Sequence, residues 1–505
     1  MRLSRAKLEP DDLSKYNSGA MTDKDQLLLL KKGFTRLIDF LQKSWDPSGK
    51  IIRSMDPLTI EASLSFDFDS AQTADFWEQL QIYLDTCTKT SHPFFCDRLC
   101  GAPSEITLLS GMVELFSNVT MSVYKASSVS TVIETELIRK LNTMAGFLDG
   151  DGIFTPGGTF SNTVAVLCAR HHYFPQIKVQ GLGAAPPLSI CVSDQAHYSF
   201  DISANQMGLG TSAVYRVASD DMGRMIPKAL ESAILQCRRD GKTPFFVSAT
   251  SGTTVTGNFD PLPEIAAICR AQKLWFHVDA AYGGATLFSD THKHLMSGCH
   301  MADSMTWDFH KQLGIPIPCS VILTQSKTSL SAACAPMTDF GNTNYIFSAK
   351  NRHDLGKKAL QCARPSDALK LWITWLYLGN NGMAERIDTL FEKAEALESL
   401  IKEAPNCELM SKRESTNVCF RIRPQLDTID IDAFNQALNQ TLTENRDLFI
   451  SDMPLKGHHV LRPAFTQTST DPIVLLTHIL KAAKTLEKSW PQSTISTSAH
   501  ILEKN

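Results

Sequence analysis

Apolar residues follow two different rhythms along this chain. Over residues 23–45 they recur at helical spacing, with Leu27, Leu28, Leu30, Phe34, Leu37, Ile38 and Leu41 on one broad face, which predicts an amphipathic helix. Residues 54–100 read as loops and short helices, and two more helical stretches run from Ile106 to about Phe147. The rhythm changes after Asp149-Gly150-Asp151-Gly152. Short apolar runs then alternate with amphipathic segments. Runs at 188–192, 245–248, 274–278 and 319–323 predict buried strands, each bounded by turn or polar residues. Between them lie helical segments such as 227–238 and 262–272, and Pro227 suits a first helical position, where no N–H is needed. This alternation predicts an α/β fold with a mostly parallel central sheet and helices on both faces. A long helix is expected to begin over 367–378 and another to run over 385–403. The rest mixes strands and helices, as a small C-terminal α+β domain does, and the Ser/Thr-rich segment 491–505 is expected to fray.

Composition narrows the class. A chain of 505 residues exceeds one simple core, so two or three domains are expected. Hydrophobic content of 43% and charged content of 20% match an ordinary soluble protein. A net charge of -4 argues against a nucleic-acid or membrane-surface partner. No apolar run reaches the roughly 18 residues of a membrane span. The start, Met1-Arg2-Leu3-Ser4-Arg5, does not lead into the apolar core of a signal peptide. The 13 cysteines contain no C-x-x-C pair, and Cys96 and Cys100 are the nearest two. Scattered reduced thiols in a cytoplasmic protein are expected, with no metal site.

The candidate chemistry sits in polar islands at strand ends, where open α/β sheets bind ligands. Thr155-Pro156-Gly157-Gly158-Thr159-Phe160 leads into a helix and suits an anion such as phosphate, although a Gly-Gly before a helix is often only a turn. Ser193-Asp194-Gln195-Ala196-His197 places a histidine after a strand. Ala249-Thr250-Ser251-Gly252-Thr253-Thr254 offers hydroxyls and close backbone approach, or an ordinary turn. Asp279 follows an apolar run, and a buried aspartate without a cationic partner is costly. Lys311 stands among Trp307, Phe309, Leu313 and Ile315, an awkward place for an ammonium group. A lysine for a Schiff base and a carboxylate for a pyridine nitrogen are what pyridoxal 5'-phosphate (PLP) requires.

These residues carry a resemblance. DGIFTPGGTFSN (151–162), SDQAHYS (193–199), PFFVSATSGTTVTGNFDP (244–261), LWFHVDAAYGG (274–284), ADSMTWDFHKQLG (302–314) and LQCARPSDALKLW (360–372) resemble the group II PLP-dependent amino-acid decarboxylases. The glutamate/cysteine-sulfinate branch is the most similar. The resemblance implies the type I, aspartate-aminotransferase-like fold of PLP-dependent transferases and a homodimer with its site at the subunit interface. It implies an N-terminal dimer-forming segment over 1–105, a large PLP-binding domain over 106–378 and a small domain over 379–505. The implied roles follow. Lys311 carries the coenzyme, Asp279 pairs with the pyridine nitrogen and His197 stacks on the ring. Thr253 lies near the 3-hydroxyl, and Gly158, Thr159, Phe160 and His310 contact the phosphate. Arg462 holds the substrate's α-carboxylate, and Tyr345 protonates the α-carbon after CO2 leaves. The activity implied is α-decarboxylation of a short acidic L-amino acid: aspartate, glutamate or cysteine sulfinate.

One departure bears on substrate. Where that branch reads Phe-Asn-Gln, this chain has Asp97 and Arg98. Either Arg98 forms a bidentate pair with a distal acid, or Asp97 neutralises it. An Asp97 facing the site would instead suit a cationic side chain such as diaminobutyrate. The other readings are an aliphatic amino-acid decarboxylase, a PLP transaminase or oxidative deaminase, and a non-catalytic scaffold. Lys311, Asp279, His197 and Tyr345 together argue against the last.

Overall fold

The structure, a computed structural model, describes residues 23–53, 56–66, 73–335 and 353–490. The chain divides into two compact units, one of residues 1–95 with 441–449 and one of residues 96–440 with 450–505. In the first, the helix Asp23–Trp45 confirms the long apolar rhythm, and Leu27, Leu28, Leu30, Leu37 and Ile38 on it are exposed. The short helix Pro57–Ser63 begins at a proline and is capped by Asp56, whose carboxylate accepts from Thr59 N at 3.0 Å. Arg36 lies 4.4 Å over the ring of Trp77, on the helix Thr73–Thr86.

The second unit is built on seven strands: β1 (Asp151–Thr155), β2 (Leu188–Ser193), β3 (Val214–Val217), β4 (Thr243–Thr250), β5 (Trp275–Asp279), β6 (Ser304–Asp308) and β7 (Ser320–Thr324). Their order across the sheet is β1-β7-β6-β5-β4-β2-β3. Neighbours are parallel except for β7, which runs antiparallel to both β6 and β1. Alternate residues of each strand face opposite layers, so two cores form from one sheet. Cys191, Val247, Ala249, Phe276, Val278, Met305, Val321 and Leu323 join the helices Tyr124–Ala145, Pro227–Arg239 and Leu262–Gln272. Ile190, Val192, Phe246, Trp275 and Ile322 pack on the helix Gly158–Tyr173, through Val164, Ala165 and Ala169.

The four expected strands are β2, β4, β5 and β7 in the structure. Three others escaped the search for continuous apolar runs. β1 and β6 mix polar and apolar residues, Asp-Gly-Ile-Phe-Thr and Ser-Met-Thr-Trp-Asp: Asp151 pairs with Lys358, Ser304 bonds Trp275 and His277, and Asp308 stands at the ligand end. β3 is an edge strand with Arg216 exposed.

The two expected helices both stand within Asp367–Glu403. The two arms join at Gly379, whose φ of 65 and ψ of -178 break the helix. Beyond them lies a small antiparallel sheet of β8 (Cys407–Leu409), β9 (Phe420–Ile422), β10 (Phe449–Leu455) and β11 (His458–Arg462), in which β9 pairs with β8 and β11, and β10 with β11.

A buried ion pair ties the second unit together. Arg364 donates from both terminal nitrogens to the Glu134 carboxylate at 2.8 Å, and Glu134 also accepts from Phe154 N on β1. The side chains are 3% and 1% exposed. Removing one partner strands the other charge in the core. Arg364→Ala is expected to cost about 3–5 kcal/mol, read as a lower midpoint of denaturant unfolding.

Candidate active site

A cavity of about 470 Å³ opens at the carboxyl ends of β4, β5 and β6, and the last residue of each strand, Thr250, Asp279 and Asp308, lines it. The position follows from topology, since parallel strands aim their carboxyl ends and following loops at one place. His197, Tyr198, Gly252, Thr254, Ala281, Tyr282, His310 and Lys311 also line it, as do Gly157, Gly158, Thr159 and Phe160.

Lys311 reaches the cavity from the turn after β6. Its Nζ is 3.3 Å from Asp308 Oδ2, and the side chains are 21% and 2% exposed. The backbone of Lys311 is crowded by the loop before the first large-domain helix. Gly101 N donates to His310 O at 3.1 Å, and a Cβ on Gly101 would meet Lys311 O at 2.2 Å, so only glycine passes there. His310 donates from Nδ1 to Cys319 O at 3.1 Å, and burial pushes its pKa down.

Asp279 is buried, and two donors fix its carboxylate: Asn162 Nδ2 at 2.8 Å and Ala281 N at 3.1 Å. His197 accepts from Ser199 N at its Nδ1, at 3.2 Å, so the neutral ring carries its proton on Nε2. Burial lowers the pKa of this half-buried histidine.

The helix Gly158–Tyr173 starts at the cavity wall. Gly157 precedes it with a φ of 134, and no side chain caps it. The first N–H groups, on Gly158, Thr159 and Phe160, are therefore available to an anion. A Cβ at Gly158 would come within 2.7 Å of Asp308 Oδ2, which accounts for the second glycine.

The remaining candidates are placed as follows. Thr253 does not line the cavity; its hydroxyl is 2.8 Å from Thr256 Oγ1 and accepts from Asn258 N, while Thr250 and Thr254 face the cavity instead. Arg98 does not line it either. It is 75% exposed, with Nε 3.1 Å from Asp97 Oδ2. Asp97 is tied inward, its Oδ1 accepting from Ser451 Oγ at 2.5 Å. Ser451 in turn accepts from Arg462 Nη2 at 2.9 Å. Arg462, like Thr253 and Arg98, does not line the cavity; it is 3% exposed, and its Nε and Nη1 meet no protein acceptor among the described residues. Desolvation lowers its pKa. Nearby, Tyr282 Oη bonds Thr416 Oγ1, which also accepts from Gln312 Nε2 at 3.2 Å. Tyr345 lies outside the described residues.

The sequence reading assigned no role to Asn162, Thr250 or Asp308. Only Asp308 had a local signal, a carboxylate three residues before the lysine. Among the described residues there is no cluster of metal-ligating side chains.

The site fits PLP on its own geometry. It brings an uncapped helix start, a fixed carboxylate at a strand end and an amine to one cavity. Thr250 Oγ1 and Asp308 Oδ1 are buried without a protein partner, as expected of a wall made for a polar ligand.

The pyridoxal-dependent decarboxylase conserved domain matches residues 62–423. This chain belongs to the pyridoxal-dependent decarboxylase family. It is 36% identical over 403 residues to human cysteine sulfinic acid decarboxylase, covering 78% of this chain and 81% of the relative. It is 37% identical over 384 residues to the acidic amino acid decarboxylase GADL1 of Mus musculus, covering 75% and 69%. The crystal structure of mouse CSAD superposes with a TM-score of 0.87 at 31% identity, covering 92% of this chain and 99% of that one. The PLP-dependent fold and lyase class expected from the motifs are thereby established for this decarboxylase. No helix among the described residues is long and apolar enough to cross a membrane.

Proposed function

We propose that this decarboxylase removes the α-carboxylate of a short acidic L-amino acid, with aspartate, glutamate and cysteine sulfinate as the candidates. The acidic preference rests on relatives named for acidic substrates, and the buried Arg462 guanidinium, with two donors unmet, suits the α-carboxylate that every amino acid carries. Bound PLP supplies an electron sink for the pair left behind when CO2 departs. Lys311 would hold the coenzyme covalently through Nζ and later release the product amine. Asp279, held in place by its two donors, would face the ring nitrogen and hold a proton there. His197 offers a flat neutral face for stacking. The N–H groups of Gly158, Thr159 and Phe160, with His310, would bind the phosphate. Arg462 would take the α-carboxylate in a bidentate pair. Tyr345 is proposed as the proton donor to the α-carbon.

The cationic-substrate alternative is disfavoured on electrostatic grounds. A diaminobutyrate side chain needs an uncommitted anion, and Asp97 is already engaged by Arg98 and Ser451. The same pairing argues against Arg98 as the selector. A CO2-release screen of acidic, basic, aromatic and aliphatic amino acids tests both points. The acidic three should lead, and Arg98→Gln should leave their order and kcat/KM within about threefold, since exposed ion pairs contribute little. A basic substrate leading would overturn the proposal.

We also propose a homodimer in the cytoplasm. Leu109, Leu115, Phe116, Val129, Val132, Leu376 and Tyr377 leave broad apolar surface exposed on large-domain helices, as a subunit interface does. Thirteen unpaired cysteines suit a reducing compartment.

A further inference from the structure

Behind Asp279 a line of polar side chains crosses an otherwise apolar core. Trp275, His277 and Asp279 alternate along β5 and so share one face, under the helix that carries Asn162. Ser304 is the register partner of His277 on β6. Trp275 Nε1 donates to Ser304 Oγ at 2.8 Å. Ser304 Oγ is also 2.8 Å from His277 Nδ1, and His277 Nε2 is 3.1 Å from Asn162 Oδ1. Asn162 Nδ2 donates to Asp279 Oδ2 at 2.8 Å and to Ser199 Oγ at 2.9 Å.

The chemistry of each group fixes the direction of this line. The amide nitrogen of Asn162 is committed to Asp279 and Ser199, so its oxygen must accept from His277. Nε2 therefore carries the ring proton and Nδ1 is the acceptor. Ser304 then donates its hydroxyl hydrogen to Nδ1 and accepts from the indole. Every hydrogen points toward Asp279. His277 is 0% exposed and packed on the ring of Phe246, with centroids 5.6 Å apart, and burial pushes its pKa down to about 4. The ring is thus neutral and has one tautomer. The Thr306 hydroxyl, 3.4 Å from Nε2, is the other polar neighbour.

We infer that His277 and Asn162 are positioning residues: the one-way chain Trp275–Ser304–His277–Asn162 keeps an amide donor, not an amide oxygen, against Asp279, and so sets how strongly Asp279 holds the protonated ring nitrogen of the coenzyme. Without His277 the Asn162 amide has no reason to keep its orientation. A flipped amide would present oxygen to a buried carboxylate, and Asp279 would lose the donor that holds it in place.

The test compares PLP with the analogue that has carbon in place of the ring nitrogen. Apoprotein is titrated with each, and the two dissociation constants are read from the visible absorbance of the bound chromophore. The inference rests on Asp279 facing the ring nitrogen, so the unmodified chain should prefer PLP by about tenfold or more, the scale of a charge-assisted bond. In His277→Phe that preference should collapse to about twofold, with affinity for the analogue unchanged within about twofold. His277→Gln, which keeps a donor toward Asn162, should restore most of it. Ser304→Ala, a small change that frees the tautomer, should lose part of it and serves if His277→Phe does not fold. No preference in the unmodified chain would overturn the reading of Asp279, and the inference with it. A preference that persists in His277→Phe or Ser304→Ala, or an equal loss for both ligands, would overturn the inference alone.

Discussion

Replacing Lys311 by alanine is expected to abolish turnover, with kcat falling at least about 10³-fold, ~4 kcal/mol of barrier. Two consequences can be separated. Alanine removes the amine that carries the coenzyme, and it also leaves Asp308 without its cation, 3.3 Å away in the native chain. Lys311→Arg divides them. A guanidinium still pairs with Asp308, yet it stays protonated and cannot condense with an aldehyde. Both variants should lack activity and the visible absorbance of the bound coenzyme. Only alanine should also shift the thermal midpoint of the coenzyme-free chain. Steady-state rates, absorbance spectra and melting curves check the three statements.

The second large effect is expected at Arg462. Its burial, its two unmet donors and its single bond to Ser451 make it a cation held ready for an anion. Arg462→Gln should lower kcat/KM by about 30–1000-fold, the ~2–4 kcal/mol typical when a buried charge pair loses a partner. Most of that loss should appear in KM, because the carboxylate is recognised before it leaves. Arg462 does not line the cavity around Lys311, so coenzyme loading should stay normal. Arg462→Lys should recover only part of the loss, since an ammonium cannot form the bidentate pair.

Part of the site was legible in the sequence. Lys311 and Asp279 stood out because a charge inside an apolar run needs a partner, and that argument needs no third dimension. β2, β4, β5 and β7 were legible because strands buried on both faces read as continuous apolar runs. β1 and β6 were not, because polar residues with specific partners, Asp151 with Lys358 and Ser304 with Trp275, interrupt their apolar runs. Among the hydroxyls of Ala249-Thr250-Ser251-Gly252-Thr253-Thr254, the register decides which faces the ligand. Thr250 pairs across with Asp279 on β5, whereas Thr253 is turned into the loop by Thr256 and Asn258. Asn162 was invisible as a partner for Asp279, which lies 117 residues away in the chain. For Arg98, composition left two outcomes open. The geometry turns it to solvent, against Asp97.

Low solvent access at the coenzyme end follows from the same arrangement. Asp279 and Asp308 are 5% and 2% exposed, so water competes poorly for either carboxylate.

The most direct test is the mass balance of the purified, PLP-loaded chain acting on aspartate, glutamate and cysteine sulfinate. One equivalent each of CO2 and the decarboxylated amine should appear per amino acid consumed, with no ammonia and no keto acid, and Lys311→Arg should produce neither product. Ammonia, peroxide or keto acid in place of CO2, or no turnover of any acidic amino acid by a chain that carries the coenzyme, would contradict the account.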